Sequence, residues 1–241
     1  MVKATEKRIF LTRHAQAEHN VDLDYSMTKI YLRIDILVHD APLTQLGRQQ
    51  SARLNEDTKN NIQQTAELLV SSPLRRTMST TLVGYPDLFK RLIAQHKVIL
   101  RPELQECNAH PCDVGSPRET LEADPEYGGK GLDFSTLTPD WTSKQGKYAV
   151  TVAALQERAR ENRKWLRERP EQEIVVVAHG DLLRYVTDGY SSDSEWANTE
   201  VREYTFEVDE DKDTDKEARL VLVRRVVKEG EVEPTSSGFK N

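Results

Sequence analysis

The chain has 241 residues, of which 37% are hydrophobic and 31% are charged, a composition typical of a globular protein with a highly charged surface. Its net charge of −6 argues against nucleic acid as a partner, because phosphate backbones bind basic surfaces. The same negative charge repels small anions, so an anion site requires a local cluster of positive side chains.

Neither a targeting segment nor a membrane segment is expected. The N-terminal residues MVKATEKR lack the apolar core of a signal peptide, and no apolar run approaches the ~18 residues that a membrane helix needs. Cys107 and Cys112 are the only cysteines, and without a secretory signal they are expected to be free thiols. We therefore expect a cytoplasmic protein without membrane association, with the nucleus left open as a second compartment.

Four apolar runs are predicted to form strands. The first and last are almost continuously apolar, which is typical of strands covered on both faces of a parallel sheet. Helical patterns alternate with these runs along the chain. The predicted strands occupy residues 8–13, 66–72, 97–101 and 173–179, and the predicted helices occupy residues 43–58, 72–84, 150–169 and 180–189.

Residues at the helix ends support these boundaries. Thr44 is a suitable N-cap for the first helix, and Ser72 is predicted to cap the second, with Pro73 at its first position. Asp181 lies in the first turn of the last helix, where the helix dipole favours a carboxylate. Gly189 is predicted to end that helix.

The alternation of strands and helices predicts one α/β domain over residues 1–241, a three-layer sandwich with a mostly parallel central sheet flanked by helices. Residues 107–147 are rich in proline and glycine and lack periodicity, which predicts a loop-rich cover over an active site. Two apolar runs around the charged segment DEDKDTDKE predict a C-terminal β-hairpin, and the tail at 228–241 is expected to be disordered.

Polar side chains follow the end of each predicted strand. Arg13 and His14 follow the first strand, and Arg75 and Arg76 lie in the first turn after the second. Glu106 comes shortly after the third strand, and His179 ends the last. Because the carboxyl ends of parallel strands meet at one edge of a sheet, these side chains are expected to converge there.

Such a cluster has the chemistry of phosphoryl transfer. A guanidinium group matches two phosphoryl oxygens at once, and a neutral imidazole is a nucleophile. A second imidazole stabilises the transition state, and a carboxyl group whose pKa is raised protonates the departing alkoxide. Since these groups surround the phosphate with positive charge, no metal and no other cofactor is expected.

Five segments occur in an order that resembles a known family. LTRHAQAEHN, DAPLTQLGRQQ, SSPLRRTMST, LQE and VVVAHGD are similar to successive motifs of the histidine phosphatase superfamily, in its phosphoglycerate-mutase-like branch. The resemblance covers roughly residues 8–190. It implies the α/β fold of that family and a phosphohistidine chemistry.

The resemblance also implies individual roles. It makes His14 the catalytic nucleophile that becomes phosphorylated, Glu106 the catalytic proton donor and His179 the second catalytic histidine. Asp113, in the predicted cover, is left open as an alternative proton donor. The side chains implied to bind the substrate are Arg13, Asn20 and Arg76, the last of which fits the motif spacing better than Arg75.

Two positions depart from the family pattern. Ala15 stands where the family usually has glycine, and Gln16 stands where glutamate is common. The extra methyl group of Ala15 bears on the tight turn after the nucleophile rather than on the chemistry.

The predicted function is a metal-independent phosphomonoesterase that acts on a small phosphorylated metabolite through a phosphohistidine. Mutase-type phosphoryl transfer and a catalytically silent phosphate-binding module remain as alternatives. The cover shows nothing like the longer insertion of true mutases, which favours the phosphatase. Oligomeric state is left open. Candidates for substrate recognition in the cover are Asp113, Ser116, Trp141 and Arg118, the last for a second anionic group.

Overall fold

The computed structural model describes residues 3–20, 38–189, 195–208 and 217–227. In this part of the chain a six-stranded sheet is covered by helices on both faces, which confirms the predicted three-layer α/β fold. The strands are β1 (Arg8–Arg13), β2 (Leu68–Ser71), β3 (Val98–Leu100), β4 (Glu173–Ala178), β5 (Val201–Phe206) and β6 (Leu220–Val227).

The sheet is mostly parallel, as predicted. Its strand order is β3-β2-β4-β1-β5-β6. Strands β1 to β4 run parallel to one another, and β5 and β6 run antiparallel to their neighbours. The pairing of β5 with β6 confirms the predicted C-terminal hairpin. Both β1 and β4 are central and buried almost throughout, which explains their continuous apolar pattern.

Helices follow the strands along the described chain. They are α1 (Gln45–Thr58), α2 (Ile62–Thr65), α3 (Arg75–Gly84), α4 (Pro86–Ile93), α5 (Arg118–Ala123), α6 (Val152–Glu168) and α7 (Gly180–Asp188).

Alternate side chains of the central strands point into two different cores. Ile9 and Leu11 of β1 belong to the core that contains apolar side chains of α6 and α7. Phe10 belongs to the opposite core, with apolar side chains of α1, α2 and α4. Because burial of apolar surface is worth about 25 cal/mol per Å², a strand packed on both faces is held firmly, and so are the polar residues that follow it.

The helix ends agree with the sequence at two places and differ at one. The Thr44 hydroxyl accepts a hydrogen bond in the first turn of α1, and Gly189 ends α7 with a left-handed φ of +68°. The predicted start of α3 at Ser72 and Pro73 is wrong, because the helix begins at Arg75 without a side-chain cap. Ser72 contributes its hydroxyl to the candidate active site instead.

No helix is predicted between residues 84 and 97, where α4 lies. Pro86 occupies its first turn, and Leu88 and Leu92 pack into the core beneath it. Only Tyr85 separates α4 from α3, so the break between the two helices is too short to stand out in the sequence pattern.

The cover at 107–147 contains α5 and several short turns, and it has an apolar core of its own. Tyr127, Phe134 and Trp141 are buried, and they cluster with Leu74 and Met78 from the region of α3. This packing anchors the segment beside the start of α3.

Part of the C-terminal region lies outside the described residues. The tail at 228–241, predicted to be disordered, and most of the charged hairpin loop belong to it. Within the described ranges, no helix is both long and apolar enough to span a membrane.

Candidate active site

The ends of β1 and β4 bring two histidines together. Arg13 and Ala178 are partners in the parallel register, and the His14 amide continues the ladder by donating to the Ala178 carbonyl at 2.9 Å. His179 follows directly at the end of β4. The two imidazole rings lie with their centroids 5.1 Å apart and are tilted by 61°. The predicted convergence at this edge of the sheet is therefore found.

One guanidinium group links the two rings. Arg76, in the first turn of α3, has no solvent exposure. Its Nε lies 3.3 Å from Nε2 of His14 and 3.2 Å from Nδ1 of His179. Since Nε–H is a donor, both ring nitrogens face it as acceptors.

These contacts define the tautomers of the rings. Nδ1 of His14 lies 2.7 Å from the Ala15 carbonyl oxygen and donates to it, so Nε2 carries the lone pair. In His179 the arrangement is reversed, because Nδ1 accepts from Arg76 and Nε2 lies 2.8 Å from the Ser72 hydroxyl. Both imidazoles are therefore arranged as neutral rings.

The electrostatic environment favours the neutral form. Burial, followed by the charges of Arg76 and Arg13, holds the pKa of His14 well below its usual value. Burial and the Arg76 charge likewise hold the pKa of His179 well below its usual value. An uncharged His14 with a lone pair on Nε2 has the properties of a nucleophile.

Arg13 is buried at the end of β1, with 1% exposure. Its Nη1 donates to the Trp196 carbonyl oxygen, a contact that anchors the guanidinium near the imidazole pair. Its charge lowers the pKa of both His14 and His19, so it acts on the same region as Arg76.

Asn20 is buried close to this cluster, and its described contacts lead to a residue that was not predicted. Its Oδ1 accepts from the Ala17 amide at 3.0 Å, and its Nδ2 lies 3.2 Å from Nε2 of His19. The His19 ring centroid is 5.8 Å from that of His14. His19 thus forms a third imidazole of the site, and its place inside the first motif is the only sequence signal for it.

Glu106 is buried beside the first turn of α7, with 3% exposure. Its Oε1 accepts from the backbone N–H groups of Cys107 at 2.9 Å and Leu182 at 3.1 Å, which joins it to the first turn of α7. Burial and the negative charges of Asp181 and Asp113 raise the pKa of Glu106 to about 7. A carboxyl group with this pKa can act as an acid near neutral pH.

The alternative proton donor, Asp113, has a different environment. Its Oδ1 accepts from Nη2 of Arg76 at 2.9 Å, and neither side chain is exposed. The guanidinium also donates to the Cys112 carbonyl oxygen, so the cover contacts Arg76 directly. A carboxyl group in this position is a counter-ion for Arg76, which favours Glu106 as the acid.

The two departures from the family motif are accommodated. Ala15 is fully buried and is not among the described residues with positive φ, so its turn does not require glycine. Its amide donates to the Thr80 hydroxyl at 3.1 Å. Gln16 accepts from the Thr44 hydroxyl at 2.6 Å, which ties the segment after His14 to the start of α1.

Among the other cover candidates, none contacts the histidine pair. The Ser116 hydroxyl donates to Asp40 at 2.7 Å, and Trp141 belongs to the apolar core of the cover. Arg118, predicted for a second anionic group, instead forms an exposed ion pair with Glu122 at 2.7 Å. A helical spacing of four residues explains this pairing.

Side chains that could bind a metal ion do not form a cluster in the described part of the chain. Among the described residues, no group of three or more histidine, cysteine, aspartate or glutamate side chains is placed to hold a metal ion. Cys107 and Cys112 are both buried and free. Burial raises the pKa of both thiols, as do nearby carboxylates.

Comparison with known proteins agrees with this geometry. Residues 9–209 match the family model of the histidine phosphatase superfamily, branch 1. The chain belongs to this superfamily. A protein of Schizosaccharomyces pombe named "Probable phosphatase" is 28% identical over 182 residues, 76% of this chain and 78% of that protein. Phosphoglycerate mutase-like protein 1 of Arabidopsis thaliana is 30% identical over 203 residues, 73% of this chain and 69% of that protein.

Solved structures of phosphatases share the fold. Alpha-ribazole phosphatase from Shigella flexneri superimposes with a TM-score of 0.56 at 19% identity, covering 94% of this chain and 100% of that chain. At this identity the likeness concerns the fold alone. The family match and the phosphatase-named relative confirm the predicted class, an enzyme of the histidine phosphatase type.

Proposed function

We propose that this histidine phosphatase is a metal-independent phosphomonoesterase that hydrolyses a small phosphorylated metabolite through a phosphohistidine at His14. One observation carries the proposal. The buried Arg76 guanidinium faces the lone pairs of two neutral imidazoles, Nε2 of His14 and Nδ1 of His179. A phosphoryl group bound to this guanidinium therefore meets a nucleophile that is already oriented and uncharged.

In the first half-reaction, Nε2 of His14 attacks the phosphorus of the bound ester. The new P–N bond forms while the P–O bond to the alcohol breaks. Arg13 and Arg76 stabilise the charge on the three non-bridging oxygens, which is the part a metal ion plays in other phosphatases. His179 and Asn20 complete the phosphate pocket in this proposal.

The departing alkoxide takes its proton from Glu106. Both hydrogen bonds to this carboxyl group end on Oε1, so Oε2 carries the proton and has no hydrogen-bond partner in the described part of the chain. With a pKa of about 7, the group is about half protonated at neutral pH and mostly protonated in mildly acidic solution. It can therefore donate at the pH at which the imidazoles are neutral.

In the second half-reaction, water attacks the phosphorus of the phosphohistidine. The P–N bond breaks, and the Glu106 carboxylate accepts the proton of the attacking water. Inorganic phosphate leaves, and both His14 and Glu106 return to their starting protonation states. The phosphate ester and water are thus the two reactants that the cycle requires.

Mutase-type phosphoryl transfer is the second candidate. It is favoured by the names of the Arabidopsis thaliana relatives, which are phosphoglycerate mutase-like proteins. The two functions share the first half-reaction and differ in the acceptor, which is water in one and a substrate hydroxyl group in the other. Measuring phosphate release and isomerisation of 3-phosphoglycerate in the same reaction mixture separates them.

The proposal is tested by trapping the intermediate. The purified protein is mixed with a monoester that carries a radiolabelled phosphoryl group, quenched in alkali, where phosphohistidine survives, and digested. We expect label on the peptide that contains His14, and neither label nor turnover in His14→Ala. His39→Ala is the matched control, because His39 is exposed outside the cluster. It should retain both.

Two results would contradict the proposal. Turnover that persists in His14→Ala, or that proceeds without label at His14, would exclude the phosphohistidine mechanism. A wild-type protein that neither turns over nor accepts label from any monoester of a broad panel would be the silent phosphate-binding module.

A further inference from the structure

Two basic side chains outside the phosphate cluster converge beside Glu106. Lys144 belongs to the cover, and Arg158 lies on the buried face of α6. Nζ of Lys144 is 3.0 Å from the Glu106 carbonyl oxygen, and Nη2 of Arg158 is 3.4 Å from the same atom. A single backbone carbonyl oxygen thus accepts hydrogen bonds from two cationic side chains that are distant in sequence from Glu106.

Neither cation has an anionic partner in direct contact. In the described part of the chain, neither Lys144 nor Arg158 forms an ion pair within 4.0 Å. Arg158 is only 2% exposed, and its Nε and Nη1 are buried without any hydrogen-bond partner. Buried arginines are ordinarily paired, because an uncompensated charge is costly to remove from water. The described part of the chain therefore supplies no carboxylate in direct contact with either cation.

The two cations also repel each other. Burial, followed by the charge of Arg158, lowers the pKa of Lys144 to about 8. Lys144 has a left-handed backbone, with φ at +53°, which is uncommon for residues other than glycine. An anion bound between the two side chains would relieve this repulsion.

The pair lies next to the reacting groups. The charge of Lys144 contributes to the lowered pKa of His179. The charges of Asp113 and Glu106, in turn, raise the pKa of Lys144 and so oppose the effect of its burial. The carboxyl group of Glu106 bonds to the N–H of the peptide unit whose carbonyl oxygen the two cations contact. One peptide unit therefore lies between the cations and the carboxyl group of Glu106, with a hydrogen bond on each side of it, 3.0 Å long to Lys144 and 2.9 Å long to the carboxyl group.

We propose that Lys144 and Arg158 form a second anion subsite, so that the substrate is a monoester with another anionic group, a carboxylate or a second phosphate, a few bonds from its ester oxygen. This inference rests on the proposed function, which fixes where the first phosphoryl group binds. It moves the second-anion role from Arg118, which is paired with Glu122 on the surface, to two residues beside the acid.

Binding to a protein that cannot turn over tests the inference. In a His14→Ala background, calorimetry compares 3-phosphoglycerate with glycerol 3-phosphate, which differ only in a carboxylate and a hydroxymethyl group. We expect the carboxylate ligand to bind at least about tenfold more tightly, because charge-assisted hydrogen bonds are the strong ones. Lys144→Met should abolish that preference and leave glycerol 3-phosphate binding within about threefold.

A second pair of ligands identifies the anion. Propanediol monophosphate and propanediol bisphosphate are compared in the same background. A preference for the bisphosphate that exceeds the preference for the carboxylate assigns the subsite to a second phosphate, and the opposite order assigns it to a carboxylate. Either order supports a second-anion subsite provided that Lys144→Met removes the preference.

Neighbouring residues of the same kind serve as controls. Lys147 lies in the same segment and pairs with Glu103 at 3.1 Å, and Arg160 lies on the exposed face of α6 with Glu157. Lys147→Met and Arg160→Met should retain the preference, whereas Arg158→Met should lose it. Lys144 is on a half-buried turn, so Lys144→Met decides the question if Arg158→Met does not fold.

Three results would overturn the subsite. The first is equal affinity for both ligands of each pair before substitution. The second is a preference that survives both Lys144→Met and Arg158→Met. The third is an equal loss of affinity for the ligand with a second anionic group and the ligand without one, which indicates a structural role. All three are read from binding, so they are independent of whether the wild-type protein carries label on His14. Failure of the subsite and failure of the proposed function are therefore distinguished.

Discussion

Replacement of Glu106 by glutamine preserves the shape of the side chain and removes its proton. The glutamine oxygen can accept the hydrogen bonds that Oε1 of Glu106 now receives from Cys107 and Leu182. The substitution therefore keeps the contacts that hold the side chain in place. What it removes is the ability to protonate the leaving group.

The size of the expected loss depends on the leaving group. General acid catalysis contributes about 10²–10⁴-fold to a rate, equivalent to about 3–5 kcal/mol. We expect Glu106→Gln to lower kcat/KM for an alkyl phosphate by that factor. For a dinitrophenyl phosphate the loss should be less than about tenfold, because this leaving group departs without a proton. The assay is a comparison of the two esters in one variant.

The pH dependence gives a second readout of the same substitution. Burial and the charges of Asp181 and Asp113 raise the pKa of Glu106 to about 7. Wild-type turnover of an alkyl phosphate should therefore fall by about tenfold per pH unit above that value, as the acid loses its proton. Glu106→Gln should show no such fall across the same range.

Asp113→Asn is the control, because Asp113 is the other buried carboxyl group that contacts the site. An equal loss on both esters in Glu106→Gln, or a pH break that persists in that variant, would refute Glu106 as the proton donor. An alkyl-selective loss in Asp113→Asn instead would identify the alternative acid.

Three further predictions follow from the same contacts. The pKa of Glu106 rises from 4.5 to about 7 on folding, so the free energy of unfolding of the wild type should fall by up to about 3 kcal/mol between pH 4.5 and pH 7. Glu106→Gln should lack this loss. The same pH dependence of urea unfolding in both proteins would contradict the prediction. Arg76→Lys should lower kcat by about a hundredfold and also the melting temperature, because one ammonium cannot replace the fork that faces two imidazoles and Asp113; kcat within about threefold of wild type would refute this. Ala15→Gly should leave kcat within about twofold and destabilise the fold by about 0.5–1 kcal/mol in thermal unfolding, whereas a tenfold gain in kcat would mean that the alanine impairs the turn.

The centre of the site was predictable because it lies on the most regular part of the fold. Apolar patterns identify β1 and β4, and parallel pairing requires that their carboxyl ends meet. Arg13, His14 and His179 follow from those ends. The helix after β2 offers Arg75 and Arg76, and the motif spacing of the family selects Arg76. The prediction of this constellation needed no knowledge of loop structure.

The contribution of the cover was not predictable in the same way. Lys144 is one of several lysines in an aperiodic segment, and nothing near it in sequence distinguishes it from Lys147. Its position depends on how Tyr127 and Trp141 pack the cover against the region of α3. For the same reason Arg118 was a reasonable candidate for anion binding, although its helical neighbour Glu122 satisfies it on the surface.

The roles of Asp181 and Ser72 in the site depend on contacts between segments that are distant in sequence. Asp181 lies in the first turn of α7 as predicted. Its influence on the pKa of Glu106 arises because the carboxyl group of Glu106 bonds to the Leu182 amide in the same turn. The sequence pattern predicts Ser72 as a helix cap, whereas its hydroxyl group contacts His179 because α3 starts three residues later.

Burial shifts the pKa of the proposed nucleophile and the pKa of the proposed acid in opposite directions. Removal from water is the largest cause of the lowered pKa of His14 and also of the raised pKa of Glu106. The charge of Arg76 lowers the pKa of His14 further. The same charge also lowers the pKa of Glu106, but the negative charges of Asp181 and Asp113 raise it. A dry pocket thus keeps the nucleophile unprotonated and the acid protonated at the same pH. A substitution that admits water should move both pKa values toward their usual ranges, and the pH range of activity should then narrow from both sides.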